Sequence, residues 1–212
     1  MARSEMIEAI KKHAKYYQDD PIDERILDVM SRLDRGDFGG TDEDRPCSIG
    51  HGQTISQPFM VAMMTDMVIK EAKGSGLACE MGAGSGYQVA ILSEFFERVI
   101  GIERVGPLAQ AAKERLKRLG YERVQVAHAS GWDLQERGLD VLMATCGVLG
   151  DIPNNWVHAL QDGGVLLLPY AKEDVNKMAM TLWQKSGGEL RKIVRHKVPL
   201  YCRFVPFIRD EE

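Results

Sequence analysis

The chain predicts an α/β fold: a mostly parallel sheet with helices on both faces and an antiparallel hairpin at its C-terminal end. Three observations carry this. Apolar runs of strand length alternate with stretches of helical periodicity between residues 77 and 169, the order that lays successive strands parallel with helices between them. The first of these strands runs straight into Gly82, Gly84 and Gly86, where a backbone without Cβ can turn sharply and approach a ligand. Finally, 212 residues with 44% apolar and 27% charged side chains fit one domain with a single core,.

The elements follow in order. Residues 4–17 and 21–33 read as two amphipathic helices, the second opened by Asp20 with Pro21 just inside its start,. Residues 34–53 are rich in Gly, Asp and Pro and are expected to form an irregular functional loop,. Residues 58–73 return to helical spacing, with Phe59, Met63 and Met67 on one face as core packing,. Strands are expected at 77–81, 99–103, 123–127, 139–145 and 164–169, and helices at 86–97, 106–119 and 153–160, with Gly120 ending the second of these helices,. Residues 178–184 and 191–207 flank Ser186-Gly187-Gly188 and read as a hairpin on the sheet edge,. The expected organisation is one domain over 1–212: a helical cover and substrate loop over 1–57, a ligand-binding core over 58–170 and the hairpin over 171–212.

Composition excludes several classes. No apolar run approaches the roughly 18 residues that a membrane span needs, and the charged, periodic N-terminus is unlike a secretory leader. A cytoplasmic protein is the expectation. Cys47, Cys79, Cys146 and Cys202 are far apart and form no metal-binding pair, so reduced thiols are expected and no metal,. A net charge of −4 argues against a nucleic-acid partner,. A monomer is expected.

The chemistry concentrates at Leu77-Ala78-Cys79-Glu80-Met81-Gly82-Ala83-Gly84-Ser85-Gly86. The dinucleotide fingerprint wants G-x-G-x-x-G, and its third glycine is replaced here by Tyr87. The spacing G-x-G-x-G with an acid before it is the Rossmann-like form that binds S-adenosylmethionine (SAM), whose amino-acid sulfonium is cationic and suits Glu80. The next strand ends in Glu103, about 20 residues past the loop, at the ribose-binding position. Glu80, Gly82, Ala83, Gly84, Ser85 and Glu103, with the adjoining Arg104, are therefore the candidate donor contacts. Ligands bind at the carboxyl ends of parallel strands, so a second substrate belongs there too. Thr54-Ile55-Ser56-Gln57-Pro58 places two hydroxyls before a helix start, where free N–H groups favour an anion. On this segment alone, Ser56 reads as a helix cap.

The wider pattern shifts that reading. Asp44-Arg45-Pro46, then I-G-H-G-Q-T-I-S-Q-P-F-M-V-A from Ile49, then E-M-G-A-G-S-G-Y-Q from Glu80, then R-F-V-P at Arg203 to Pro206, resemble the protein-L-isoaspartate O-methyltransferase family over residues 44–208. The resemblance implies SAM as donor, S-adenosyl-L-homocysteine as product, and peptide or protein substrates bearing isoaspartyl carboxylates. It implies Ser56 and Thr54 as the active-site residues, with Ile55, Arg203 and Val205 on the peptide side, and Ser130 and Gly131 as donor contacts near the adenine. Such a carboxylate is already ionised at neutral pH, so no general base is needed; His51 reads as a loop residue or a recruited base. Three departures touch the site. Ala129-Ser130-Gly131 stands where the family has G-D-G, Thr145-Cys146-Gly147-Val148 where it has T-A-A-P, and the segment 36–40 is short and glycine-rich. They leave two rivals open: a relative acting on another carboxylate or one dedicated peptide, and a non-enzymatic SAM-binding homologue.

Overall fold

The computed structural model describes residues 3–194 and 199–208. In chain order the elements are α1 (Arg3–Tyr17), α2 (Glu24–Arg32), β1 (Cys47–Gly50), β2 (Gln53–Ile55), α3 (Pro58–Glu71), β3 (Leu77–Met81), α4 (Tyr87–Leu92), β4 (Arg98–Glu103), α5 (Gly106–Arg118), β5 (Val124–His128), β6 (Leu139–Ala144), β7 (Val148–Leu149), α6 (Asn154–Ala159), β8 (Leu160–Ala171), β9 (Ala179–Ser186) and β10 (Glu189–Ile193). The main sheet runs β10-β9-β8-β6-β3-β4-β5, with the short β7 beside β8. The strands from β8 to β5 are parallel, and β9 and β10 add antiparallel to the β8 edge. This is the expected α/β, Rossmann-like arrangement.

Both faces of the sheet are covered, which is why its strands are apolar throughout rather than alternating. Ala78 of β3 and Val141 of β6 point into a core shared with α1 to α5. Cys79, Met81 and Leu142 point the other way, toward Trp156 of α6. α3 is buried along most of its length, because it is sandwiched between the sheet and the N-terminal helices. α1 meets it with Met6, Ile10 and Ala14, a four-residue spacing that gives one apolar stripe.

Several boundaries differ from the expectation, each for a physical reason. α2 starts at Glu24, capped by the Asp23 side chain, which accepts the Arg25 N–H at 2.9 Å. The buried Asp66 carboxylate takes the Asp23 N–H at 2.9 Å, and that anchor places the cap past Pro21 rather than before it. The stretch 34–53 is more ordered than its composition suggests: Arg35–Phe38 form a single 3-10 turn, and β1 and β2 pair as a hairpin. Its tip, Gly50-His51-Gly52, has φ of 87°, 53° and 71°, a left-handed run that the two glycines adopt without strain. α4 stops at Leu92 and β8 starts at Leu160, directly after α6.

The largest departure is at the C-terminal end. The hairpin is β9 and β10 alone, and residues 195–198 of the expected second strand lie outside the described residues. Residues 199–208 form a strap instead. Tyr201 bridges Ala179 at the start of β9, and Pro206 bridges Gly147 just beyond β6. The Gly147 N–H donates to Val205 at 2.8 Å, and the Phe207 N–H donates to Gly147 at 2.8 Å. Phe207 wedges between Trp132 and Trp156, with ring centroids 5.2 Å and 5.0 Å away, and that aromatic seat holds the strap across the carboxyl end of the sheet.

Candidate functional site

At that carboxyl end lies a cavity of about 680 Å³, a size within the usual range for small-molecule sites. Its floor is the loop after β3. Gly82, Gly84 and Gly86 sit at φ of 89°, 53° and 86°, in the left-handed region that other residues rarely enter. The Gly82 and Ala83 N–H groups donate to the Ile102 carbonyl at 2.8 Å and 3.1 Å, so the loop is pinned to the end of β4. A Cβ on Gly84 would stand 3.3 Å from Ile49 Cδ1. Glycine there thus also lets the β1–β2 hairpin close onto the loop.

Glu103, at the end of β4, is buried, and its two oxygens accept the Gly84 and Val105 N–H groups at 2.8 Å each. A carboxylate has about four lone-pair positions, so each oxygen can still receive a ligand hydroxyl.

Glu80 is only 1% exposed. Its Oε1 lies 3.0 Å from the Thr145 hydroxyl, while its buried Oε2 has no hydrogen-bond partner among the described residues. Burial pushes its carboxyl up to about 8, with the nearby Glu103 charge adding to the rise and the Thr145 hydroxyl and Val89 amide offsetting part of it. The free protein at neutral pH therefore holds Glu80 protonated. Thr145 Oγ1 also reaches the Met81 carbonyl at 3.0 Å and the Gly82 carbonyl at 2.7 Å, so its one proton is shared between those carbonyls and Glu80 Oε1, which accepts from it. A buried acid with an unpaired oxygen in a cavity wall is costly unless something pairs with it. An ammonium or sulfonium meets that need, so the donor set fits a cationic nucleotide-like ligand.

The opposite wall is the β2 end and the strap. Thr54, Ile55 and Ser56 line the cavity together with Gln57, Arg203, Val205 and Tyr201. Ser56 is not the helix cap. Gln57 occupies the cap position of α3 and makes no side-chain cap bond. The Phe59 N–H is taken instead by Asp44 Oδ1 at 2.7 Å, with Asp44 Oδ2 bonded to Gln57 Nε2 at 3.1 Å and His13 Nδ1 at 2.7 Å. The helix-start anion position is thus filled by the protein's own carboxylate, and the Ser56 side chain is released from capping duty. Cys146, also in the wall, is a buried thiol pushed up to about 12, so it presents no thiolate.

Of the residues expected from sequence, Glu80, Gly82, Ala83, Gly84, Ser85, Glu103, Arg104, Gly131, Thr54, Ile55, Ser56, Arg203 and Val205 all line this one cavity. Ser130 sits between the lining residues Ala129 and Gly131, and its hydroxyl accepts the Trp132 N–H at 3.4 Å as the start of a 3-10 turn. Sequence reasoning missed Thr145 as a partner of Glu80, although a hydroxyl residue at the carboxyl end of a parallel strand was a usable signal. It also missed Tyr201, Cys202, Phe207 and Ile208, which pattern reading assigned to a hairpin.

Comparison with known proteins adds a separate line. A family profile described as Protein-L-isoaspartate(D-aspartate) O-methyltransferase matches residues 1–212. The sequence is 36% identical over 196 residues to the protein-L-isoaspartate O-methyltransferase of Alcanivorax borkumensis, covering 88% of this chain and 85% of that protein. It is 37% identical over 217 residues to protein-L-isoaspartate O-methyltransferase 2 of Syntrophobacter fumaroxidans, covering 97% and 85%. The fold matches, with a TM-score of 0.80 and 24% identity over 98% of both chains, a Plasmodium falciparum chain assigned to the same class of enzyme and crystallised with S-adenosyl-L-homocysteine.

Proposed function

The chain belongs to the protein-L-isoaspartate(D-aspartate) O-methyltransferase family, and from that membership and the cavity we infer that it transfers the methyl group of SAM to the free carboxylate of L-isoaspartyl residues, for protein repair. The observation that carries this reading is the meeting of two chemistries in one cavity. A buried acid with one oxygen unpartnered among the described residues faces it from β3, and two hydroxyl residues line it opposite, Thr54 of β2 and Ser56 just beyond, the latter not used as a helix cap.

SAM supplies a methyl group made electrophilic by the sulfonium. The residues of the chain do the rest by placement. Glu80, once ionised, pairs with the ligand's cationic amino-acid end. Glu103, held by the Gly84 and Val105 amides, accepts the ribose hydroxyls. Gly82 to Ser85 let the backbone pass close beneath the ligand, and Arg104, Ser130 and Gly131 flank the base. Thr54 and Ser56 orient the attacking carboxylate, while Ile55, Arg203 and Val205 bound the peptide. A carboxylate needs no general base at neutral pH. As its oxygen bonds to the methyl carbon, the carbon–sulfur bond breaks and the two opposite charges cancel. Alignment at about 3 Å and exclusion of water by the strap therefore supply most of the acceleration. In the ester formed, the following backbone nitrogen attacks the ester carbonyl and expels methanol to close a succinimide, which water opens in part to an ordinary aspartyl linkage.

Four free thiols suit a reducing compartment, and the net charge of −4 suits a protein or peptide partner better than a nucleic acid,. We read the chain as a cytoplasmic enzyme working as a monomer; its mass in solution by light scattering tests the latter. Transfer of labelled methyl groups to an isoaspartyl peptide, compared with its aspartyl counterpart, tests the activity. Modification of neither peptide would turn the assignment toward a different carboxylate acceptor.

A further inference from the structure

Arg35 is fully buried, yet among the described residues its guanidinium meets backbone carbonyls and, at 3.9 Å, the Cys47 thiol rather than a carboxylate. One terminal nitrogen donates to the Ser56 carbonyl at 2.9 Å and to the Arg45 carbonyl at 3.2 Å, and the other donates to the Thr41 carbonyl. Burying a charge without a counter-ion is expensive. A neutral donor could have tied the loop at lower cost, so what this cation does to the loop is informative.

The bond to Ser56 fixes one peptide plane. In a trans peptide the C=O and the following N–H point in opposite directions. Turning the Ser56 carbonyl onto Arg35 therefore turns the Gln57 N–H away from it. Ser56 and Gln57 line the cavity and Arg35 does not, so Arg35 holds this peptide from behind. The Gln57 N–H finds no acceptor among the described residues, and the next amide of the helix start is already taken by Asp44. Polarised by the cation bonded to its own peptide group, this N–H is a fixed donor beside the Ser56 hydroxyl.

We propose that Arg35 is a positioning residue of the methyl-transfer site: by gripping the Ser56 carbonyl it aims the Gln57 backbone N–H at the carboxylate of the incoming substrate. The proposal rests on the carboxyl-methyltransferase reading above. It assigns carboxylate recognition to a main-chain donor as well as to the two hydroxyls.

The backbone offers a clean test. Gln57 has φ −52° and ψ 134°, angles that proline adopts, so Gln57→Pro removes the N–H without demanding a new conformation at 57. Gln57→Ala is its control, because both variants lose the side-chain bond to Asp44. Initial rates on an isoaspartyl peptide, with SAM affinity by calorimetry, are measured for Q57A, Q57P, R35K and R35K/Q57P. Relative to Q57A, Q57P should lose at least about tenfold in kcat/KM for the peptide while SAM affinity is unchanged. R35K should lose a similar factor, with SAM affinity unchanged, and should cost little more once the amide is gone, a non-additivity expected only of residues acting through one another. Equal rates for Q57P and Q57A overturn the proposal, as does an R35K loss that persists in full in the Q57P background, or an R35K protein that no longer binds SAM, which would make Arg35 a support of the fold alone. If the unmutated protein binds SAM but transfers nothing to the peptide, the reading under the proposed function fails and this proposal with it; the Q57P and R35K patterns overturn only the proposal.

Discussion

Replacing Glu80 with glutamine separates stability from ligand affinity. In the unfolded chain this carboxyl ionises at its ordinary value of 4.5, whereas burial holds its proton up to about 8 in the folded protein. The contribution of the group to stability is complete below 4.5 and drains away as the pH rises through 8, because the unfolded state alone gains from ionisation in that window. Each pH unit removes about 1.4 kcal/mol, so the whole window withdraws on the order of 4–5 kcal/mol. That is a large part of the 5–15 kcal/mol typical of a domain. The substituted amide would be neutral at every pH and keep the shape of the protonated acid. Glu80→Gln should therefore flatten the pH dependence of unfolding between pH 5 and 8 and leave the variant more stable than its parent at pH 8. The same change should weaken SAM binding about 10- to 150-fold, the worth of a hydrogen bond to a charged partner at roughly 1.5–3 kcal/mol. Binding by the parent at pH 7 should also release a proton, seen as a calorimetric enthalpy that varies with the ionisation heat of the buffer, and the variant should release less. A variant that binds SAM as tightly as the parent, or a stability gap that does not widen with pH, would refute the placement of Glu80 as the neutral acid that ionises onto the ligand.

Other substitutions address the remaining walls. Glu103→Ala leaves ribose hydroxyls unpaired and frees the Gly84 and Val105 amides, so calorimetry should show SAM binding at least about tenfold weaker; unchanged affinity would move the ribose elsewhere. Because Ser56 is not a cap, Ser56→Ala and Ser56→Gly should both leave the melting temperature almost unchanged while lowering turnover on an isoaspartyl peptide at least about tenfold. Full turnover in either would remove Ser56 from the reaction. Phe207→Ala empties the seat between Trp132 and Trp156 and should raise the peptide KM more than it lowers overall stability, since the strap can lift while the sheet stays folded. A KM equal to that of the parent would mean that the strap does not bound the peptide.

The donor half of the site was readable because its signals are local. Glu80, the three glycines and Glu103 lie within two strand ends, and their strand–loop–strand order is set by local pattern before any packing is known. The hydroxyl half was readable in identity but not in role. Ser56 precedes a proline-started helix, which is the sequence signature of a cap, and only the fold brings Asp44 in to take the Phe59 amide. The strap was illegible for a similar reason: apolar residues at alternating positions near Ser186-Gly187-Gly188 look the same whether they pair as a hairpin or cross to Gly147. Arg35 gave no signal either, since a lone arginine among glycines and aspartates reads as exposed until the carbonyls that surround it are placed.

The two amide bonds to Glu103 bear on the durability of the enzyme. The cavity proposed to esterify carboxylates is itself walled by two of them, Glu80 and Glu103, and the proposed donor is an alkylating cation. On that reading, a methyl group lost to Glu80 or Glu103 would cancel a charge proposed to hold the ligand and end the life of the molecule as a catalyst. Glu103 has both oxygens tethered at 2.8 Å to backbone N–H groups on either side, which draws electron density from the lone pairs and fixes the plane of the carboxylate. Glu80 keeps one oxygen without a partner among the described residues, so peptide mass spectrometry of protein aged under turnover should find a methyl ester on Glu80 before one on Glu103.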